Sequence, residues 1–389
     1  MTSMMPWAAL TMTLLLAGCN RDDFQSVSTG KAGAFEPDVA VGDDLVAVAW
    51  NDNRDGNDEI YLRLYSPELR AITTELRLTH TPTPSYEASI ALLDNDIAIA
   101  WYERFPGGRL QTWIGLWDRN GHRAWQHPLP PARASTRNPV LRRIDGKLFA
   151  AWIEDDNDAA QPSRVLGAWL DHDGNTSPLI LLGMASRTTW NLNAERWPDG
   201  RAAVVFDAVA GTRNSELWLA LVDDARSTLT RLGADDGFDS KYPDLAVHGD
   251  TAALTWFDMK DGNDEVYLAT FAVDHIPQGT LDTSAMRVTQ TAGESIGAYL
   301  AWSHDTLGLA WCDNTSGNHE IFFQRFDPQG RMLAPARQVT HTSADSLIPS
   351  IKPLGRGFVL AWNEAVLADG GHDGDQGKTR SEVVLQQVE

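Results

Sequence analysis

An apolar run that ends in an aromatic side chain recurs in this chain at Trp50, Trp101, Trp152, Phe206, Trp256, Trp311 and Trp362. The steps between them are 51, 51, 54, 50, 55 and 51 residues. A single hydrophobic core stops growing near ~250–300 residues, yet this chain has 389. Repeats escape that limit because each unit buries its face on the next and the core lengthens without thickening. A period of about 50 residues with pieces of four strands in every copy points to blades arranged radially. The expected fold is all-β, a seven-bladed β-propeller.

The strands can be placed within the period. Strand A is a short apolar run such as "PDVAV" (37–41), "ASIAL" (88–92) or "PDLAV" (243–247), closed by a turn of Gly, Asp or Asn. Strand B is the run that ends in the aromatic. Strand C reads "EIYLRLY" (59–65), "EVYLATF" (265–271) or "EIFFQRF" (320–326), and strand D ends in "THT" at 79–81 and 340–342. Along strand B, Val46, Val48 and Trp50 alternate with Ala47, Ala49 and Asn51, a bulky face opposite a small one. Such a sheet suits burial between two neighbours rather than one wet side. The aromatic series is therefore read as inter-blade core. The last copy has strands A to C and then the chain stops, while "DFQSVSTG" (23–30) precedes the first strand A. The N-terminal strand is expected to complete the last blade and close the ring, leaving no open edge. The blades then run approximately 31–81, 82–134, 135–185, 186–236, 237–292, 293–342 and 343–389 plus 23–30, within one propeller domain at 23–389.

The first residues, "MTSMMPWAALTMTLLLAGCN", carry an apolar stretch too short to span a bilayer. "LAGC" (16–19) resembles the lipobox of bacterial lipoproteins. The resemblance implies a signal peptide at 1–18, cleavage before Cys19, acylation of Cys19 with groups such as palmitate, and a tether at 19–22. The expected location is the bacterial cell envelope, lipid-anchored, and Asn20 leans towards the outer membrane. Beyond Cys19 only Cys312 remains, on a predicted strand, so the chain has no disulfide framework. With 32 basic and 53 acidic residues the net charge is −21, which repels phosphate backbones and argues against a nucleic-acid partner.

"AWNDNRDGNDEIYL" (49–62), "TWFDMKDGNDEVYL" (255–268) and "AWCDNTSGNHEIFF" (310–323) are three versions of one turn. They resemble the W-x-D-x-R-D-G-N-x-E-I-Y repeats of bacterial exported propellers related to the sialidase-like superfamily, a likeness that implies fold more than function. Near the aromatic of each blade lies an acid: Asp52, Glu103, Glu154, Asp207, Asp258, Asp313 and Glu364, a candidate binding rim. Three readings follow. The acids cap their own turns, which explains recurrence in every blade. They hold calcium, since Asp55, Asn57 and Glu59, matched by Asp261, Asn263 and Glu265, offer oxygen ligands at close spacing. Or they form a face for cations or amines. Recurrence favours the first. Blade seven departs from the pattern with a long, glycine-rich connection (363–382) bearing Asp369, Asp373 and Asp375, a further candidate metal or partner site.

Enzyme signatures are sparse. The Asp boxes of sialidases, a Ser-His-Asp elbow, His-Glu-x-x-His and a phosphate-cradling glycine loop are all absent from the sequence. Carboxylates on neighbouring blades, such as Glu103 and Glu154, could flank a glycosidic bond, although repetition alone produces a ring of acids. The sequence thus favours a membrane-anchored envelope propeller that acts as a non-enzymatic binding or assembly module for protein or glycan. It requires no cofactor, and Ca2+ is the one ion the turns suit. The alternative is a glycan-processing hydrolase or lyase. A partly desolvated carboxylate pair beside an Arg or Tyr at the mouth of the central channel would favour the enzyme.

Overall fold

The computed structural model describes residues 24–29, 33–130, 135–155, 162–186, 189, 191–366 and 380–389. Seven antiparallel four-stranded sheets make seven blades. Blade one is β2 (Ala34–Val41), β3 (Val46–Asp52), β4 (Glu59–Tyr65) and β5 (Leu76–Arg77), ordered from the channel outwards. Among the described residues no helix is long and apolar enough to cross a membrane.

All seven residues of β3 are buried, because both faces of the strand meet another blade. Val46, Val48 and Trp50 pack against Val359 and Ala361 of blade seven. Ala47 and Ala49 on the opposite face take Ile97, Ile99 and Trp101 of blade two. The alternation read from the sequence is thus a packing rule in which a bulky face enters the small face of the preceding blade. Seven clusters of buried apolar side chains fill the contacts between adjacent blades, and blade three departs from the rule by turning Phe149 and Ile153 towards blade four.

The ring is closed by both ends of the chain. β1 (Gln25–Ser26) pairs with β28 (Arg380–Val388), which continues through β27 (Gly357–Val366) to β26 (Ser346–Leu354). Gln25 stands opposite Leu385 and Ser26 opposite Val384. The Val27 amide donates to the Val383 carbonyl at 2.8 Å, and the Val383 amide donates to Ser28 Oγ at 2.9 Å. The Val27 side chain is fully buried, and Phe24 meets Trp362 edge-on at 5.6 Å. Cys19 and the signal segment lie outside the described residues.

The strand nearest the axis carries a bulge in six blades, between Phe35 and Asp38 in blade one and at matching places in blades two, three, five, six and seven. Its first residue takes a left-handed backbone: Glu36, Glu87, Asn138, Tyr242, Gly297 and Ile348 have φ between 48° and 60°. Only the glycine adopts this without cost, and a β-branched Ile there is a genuine outlier. Such bulges re-aim side chains beside functional sites, and these six residues turn into the central channel.

Deleting residues 24–29 should expose the edge of β28 and remove the burial of Val27 and part of Phe24. That loss is about 2–3 kcal/mol, read as a lower urea midpoint together with concentration-dependent aggregation.

Candidate active site

The seven acids beside the strand-B aromatics are buried, at 0 to 4% exposure, and their partners lie largely within their own blades. The Asp52, Asp258 and Asp313 carboxylates accept the amides of Arg54, Lys260 and Thr315, two residues along each turn, at 2.8–2.9 Å. Serines at the start of strand A donate to Asp258, Asp313 and Glu364 at 2.7–2.8 Å. Thr83 Oγ1 donates to Glu103 at 2.8 Å, Arg164 pairs with Glu154, and the Asn191 amide donates to Asp207 at 3.0 Å. Buried carboxylates need such donors. None of the seven lines the channel.

The residues considered for calcium in the same turns are also occupied by protein groups. Glu59 receives the Arg77 guanidinium at 3.0 Å, the Thr79 hydroxyl, and the Thr81 amide at 2.9 Å. Glu265 receives Arg287 at 2.9 Å, the Thr289 hydroxyl, and the Thr291 amide at 3.0 Å. Tyr61 and Tyr267 donate their hydroxyls to Asp55 and Asp261. The Asn57 and Asn263 amides donate to the carbonyls of Thr81 and Thr291 at 3.1 and 3.3 Å. The Thr-x-Thr segments at 79–81 and 289–291 thus supply donors to the glutamate that opens strand C. Asp369, Asp373 and Asp375 lie outside the described residues.

A different group of residues meets at the axis. The channel encloses about 550 Å³. On its acidic side the bulges of blades one and two present Glu36 and Glu87, both half-buried. Burial pushes the Glu36 carboxyl up to about 8, and the neighbouring Glu87 charge adds to the shift. Glu87 is likewise raised by burial, with the Arg137 charge pulling the other way. Tyr102 donates its hydroxyl to Glu87 Oε1 at 3.3 Å, and burial together with both carboxylates holds the phenol protonated. Arg137 is fixed by Asp155 at 2.6 Å, Asn138 Oδ1 at 2.9 Å and the Thr189 carbonyl at 2.8 Å, so it acts as a stationary charge. On the far side Phe257, Ile296, Leu347 and Ile348 give the wall an apolar stretch, beside the carboxylates of Asp264 and Glu294, with Tyr242 stacked on Phe257 at 5.2 Å.

Deeper in the channel, side chains of one innermost strand hold the backbone of the next. Asp38 accepts the Ile90 amide at 3.1 Å, Ser89 the Leu141 amide at 3.1 Å, Asp244 the Leu300 amide at 2.7 Å, and Ser350 the Val39 amide at 3.2 Å. Asn193 donates to Asp244 and accepts Arg142 at 2.7 Å. Burial lifts the Asp244 carboxyl to about 6. Sequence reasoning passed over Glu36 and Glu87 because both stand one residue before the apolar run of strand A. The available signal was the series 36, 87, 138, 242, 297 and 348, one residue per bulged blade, four of them followed by Pro.

No protein-family model and no curated protein sequence matches the chain. Several solved structures match in fold. The α-L-arabinanase of Penicillium chrysogenum superposes with a TM-score of 0.55 at 10% identity, over 77% of this chain and 93% of that one. The polysaccharide lyase Uly1 gives 0.56 at 9%, over 90% and 89%. The Trypanosoma rangeli sialidase gives 0.51 at 11%, over 76% of this chain and 55% of its own. The architecture is shared and the sequences are not.

The raised Glu36 carboxyl carries a signature in stability. The folded protein holds its proton between the ordinary value of 4.5 and about 8, while the unfolded chain releases it near 4.5. The stabilisation is complete below the lower value and is lost as pH rises through the upper one. Glu36→Gln keeps the shape without the titration, so the variant should gain stability on wild type from about pH 5 to pH 8 and hold that gain above, as urea midpoints would record.

Proposed function

We propose that the protein is a glycan-processing enzyme, a glycoside hydrolase whose active centre is the Glu36–Glu87 pair. The supporting observation is that two desolvated carboxyls from adjacent blades face the channel beside Tyr102 and Arg137. This is the arrangement that distinguishes the enzyme from a non-enzymatic module, and the reading moves to the enzyme. Two neighbouring carboxyls raised by burial, one of them further by the other's charge, titrate as a pair and divide into an acid and a base. Glu36, the group lifted to about 8, donates its proton to the leaving glycosidic oxygen. Glu87, which faces the Arg137 charge, either takes a proton from the water that attacks the sugar carbon or bonds to that carbon itself and is displaced in a second step by water that Glu36, now ionised, deprotonates. Tyr102 holds Glu87 in place, and the apolar wall receives the C–H face of the ring.

Arabinanase, sialidase and polysaccharide lyase stand among the proteins of like fold, which makes glycan chemistry a natural use of this channel. Charge narrows the choice. A protein at −21 repels polyanionic substrates, so a neutral glycan cleaved by hydrolysis suits it better than a polyuronate cleaved by elimination. The expected anchor at Cys19 would put this activity in the cell envelope.

The test is a panel of polysaccharides and oligosaccharides, including arabinans and sialosides, scored for new reducing ends. Glu36→Gln and Glu87→Gln should each lower kcat about 10²–10⁴-fold with little change in KM. Activity should fall as pH rises through about 8, where Glu36 gives up its proton. Cleavage that leaves an ultraviolet-absorbing unsaturated sugar would assign a lyase instead. Undiminished cleavage by both variants would remove the pair from the chemistry.

A further inference from the structure

The glutamate that opens the third strand is buried in four blades, at Glu59, Glu216, Glu265 and Glu320. In blades one and five an Arg, a Thr hydroxyl and a Thr amide satisfy it, as described above. Blade four keeps the arginine position, as Arg231, but lacks both threonines. Trp218 on β16 (Glu216–Val222) opposes Arg231, as Tyr61 opposes Arg77, so Gly233 stands in the place of Thr79 and Asp235 in that of Thr81. Glu216 is 1% exposed, and neither of its carboxylate oxygens has a hydrogen-bond partner. A β-carbon on Gly233 would lie 2.7 Å from Glu216 Oε2 and 3.8 Å from Asp282 Oδ2. The Glu216 carboxylate thus leans into the position that threonine takes in the sister blades, with Asp282 beside it.

We propose that blade four binds a calcium ion in this space, with Glu216 and Asp282 as the inner ligands and Asp235 and Asp236 closing over it. A buried carboxylate without donors is costly unless a proton or a cation neutralises it. The negative charges of Asp236, Asp282 and Asp235 around Glu216 outnumber the positive charge of Arg231, so the surroundings favour a cation at this point. The donor set is oxygen only, which suits a hard cation, and calcium accepts irregular shells that carbonyls and water complete. Asp282 is already held by the Ala234 amide at 2.8 Å and Lys260 at 3.5 Å. Among the described residues no three His, Cys, Asp or Glu side chains already converge on one point, and Asp235 accepts the Arg213 amide at 3.0 Å with the Arg213 guanidinium at 3.4 Å, so binding requires the 233–239 loop to move and Arg213 to release this carboxylate. The site stands apart from the Glu36–Glu87 pair, and neither proposal depends on the other.

The experiment compares thermal melts of the full chain with calcium and with a chelator, alongside terbium luminescence. Trp218, two residues along the strand and about 7 Å from Glu216, is placed to sensitise the lanthanide. Wild type should melt several degrees higher with calcium and should give a terbium signal that calcium displaces. Glu216→Gln should abolish both responses. Gly233→Thr restores the hydroxyl of the other blades and should melt near the calcium-loaded wild type while ignoring chelator. Should Glu216→Gln fail to fold, the Asp235→Asn, Asp236→Asn double variant serves in its place, with calcium bound about tenfold more weakly. A wild-type melt indifferent to calcium and chelator, or a calcium response that survives Glu216→Gln or is unchanged in the double variant, overturns the proposal.

Discussion

The packing of a bulky strand face into the small face of the preceding blade carries this structure. Trp50 is covered on one side by blade seven, and Ala47 and Ala49 are covered on the other by Trp101 of blade two. No blade could bury its own faces, because a four-stranded sheet with two apolar sides is stable only between others. The ring must therefore close, and the pairing of β1 with β28 closes it. Strand order, core and channel all follow from that single requirement.

The repeated acidic turn has a local answer. Its first acid takes the amide two residues on in blades one, five and six, and its last acid is served by the fourth strand of the same blade. The motif thus ties the second strand, the turn and the outermost strand together at one end of the blade. The arrangement is economical where it is complete. Blade four shows its dependence on composition, since Gly233 and Asp235 in place of two threonines leave a buried carboxylate with no donor.

Much of the architecture was legible in the chain. The seven aromatics gave the blade number, the alternation along strand B gave the packing rule, and the truncated seventh copy pointed to closure by the N-terminal segment. "EIYLRLY" and "EIFFQRF" are strands over the residues read from the sequence, 59–65 and 320–326. The site was harder to see. An acid beside an aromatic in every blade draws the eye, yet burial and partner identity depend on groups some 20 residues away, such as Thr83 for Glu103. Glu36 and Glu87 were hidden by a different effect. A bulge adds one residue and turns a side chain towards the axis, and period-two alternation has no place for it.

Glu36 and Glu87 are 51 positions apart in the chain and belong to different sheets. Asp38, two residues from Glu36, accepts across the seam the amide of Ile90, three residues from Glu87. The separation of the two carboxyls is accordingly a property of the hoop and not of either strand. Outer strands and their loops can be lengthened, exchanged or decorated without altering that spacing. The chemistry at the axis and the exterior of the disc are free to diversify independently.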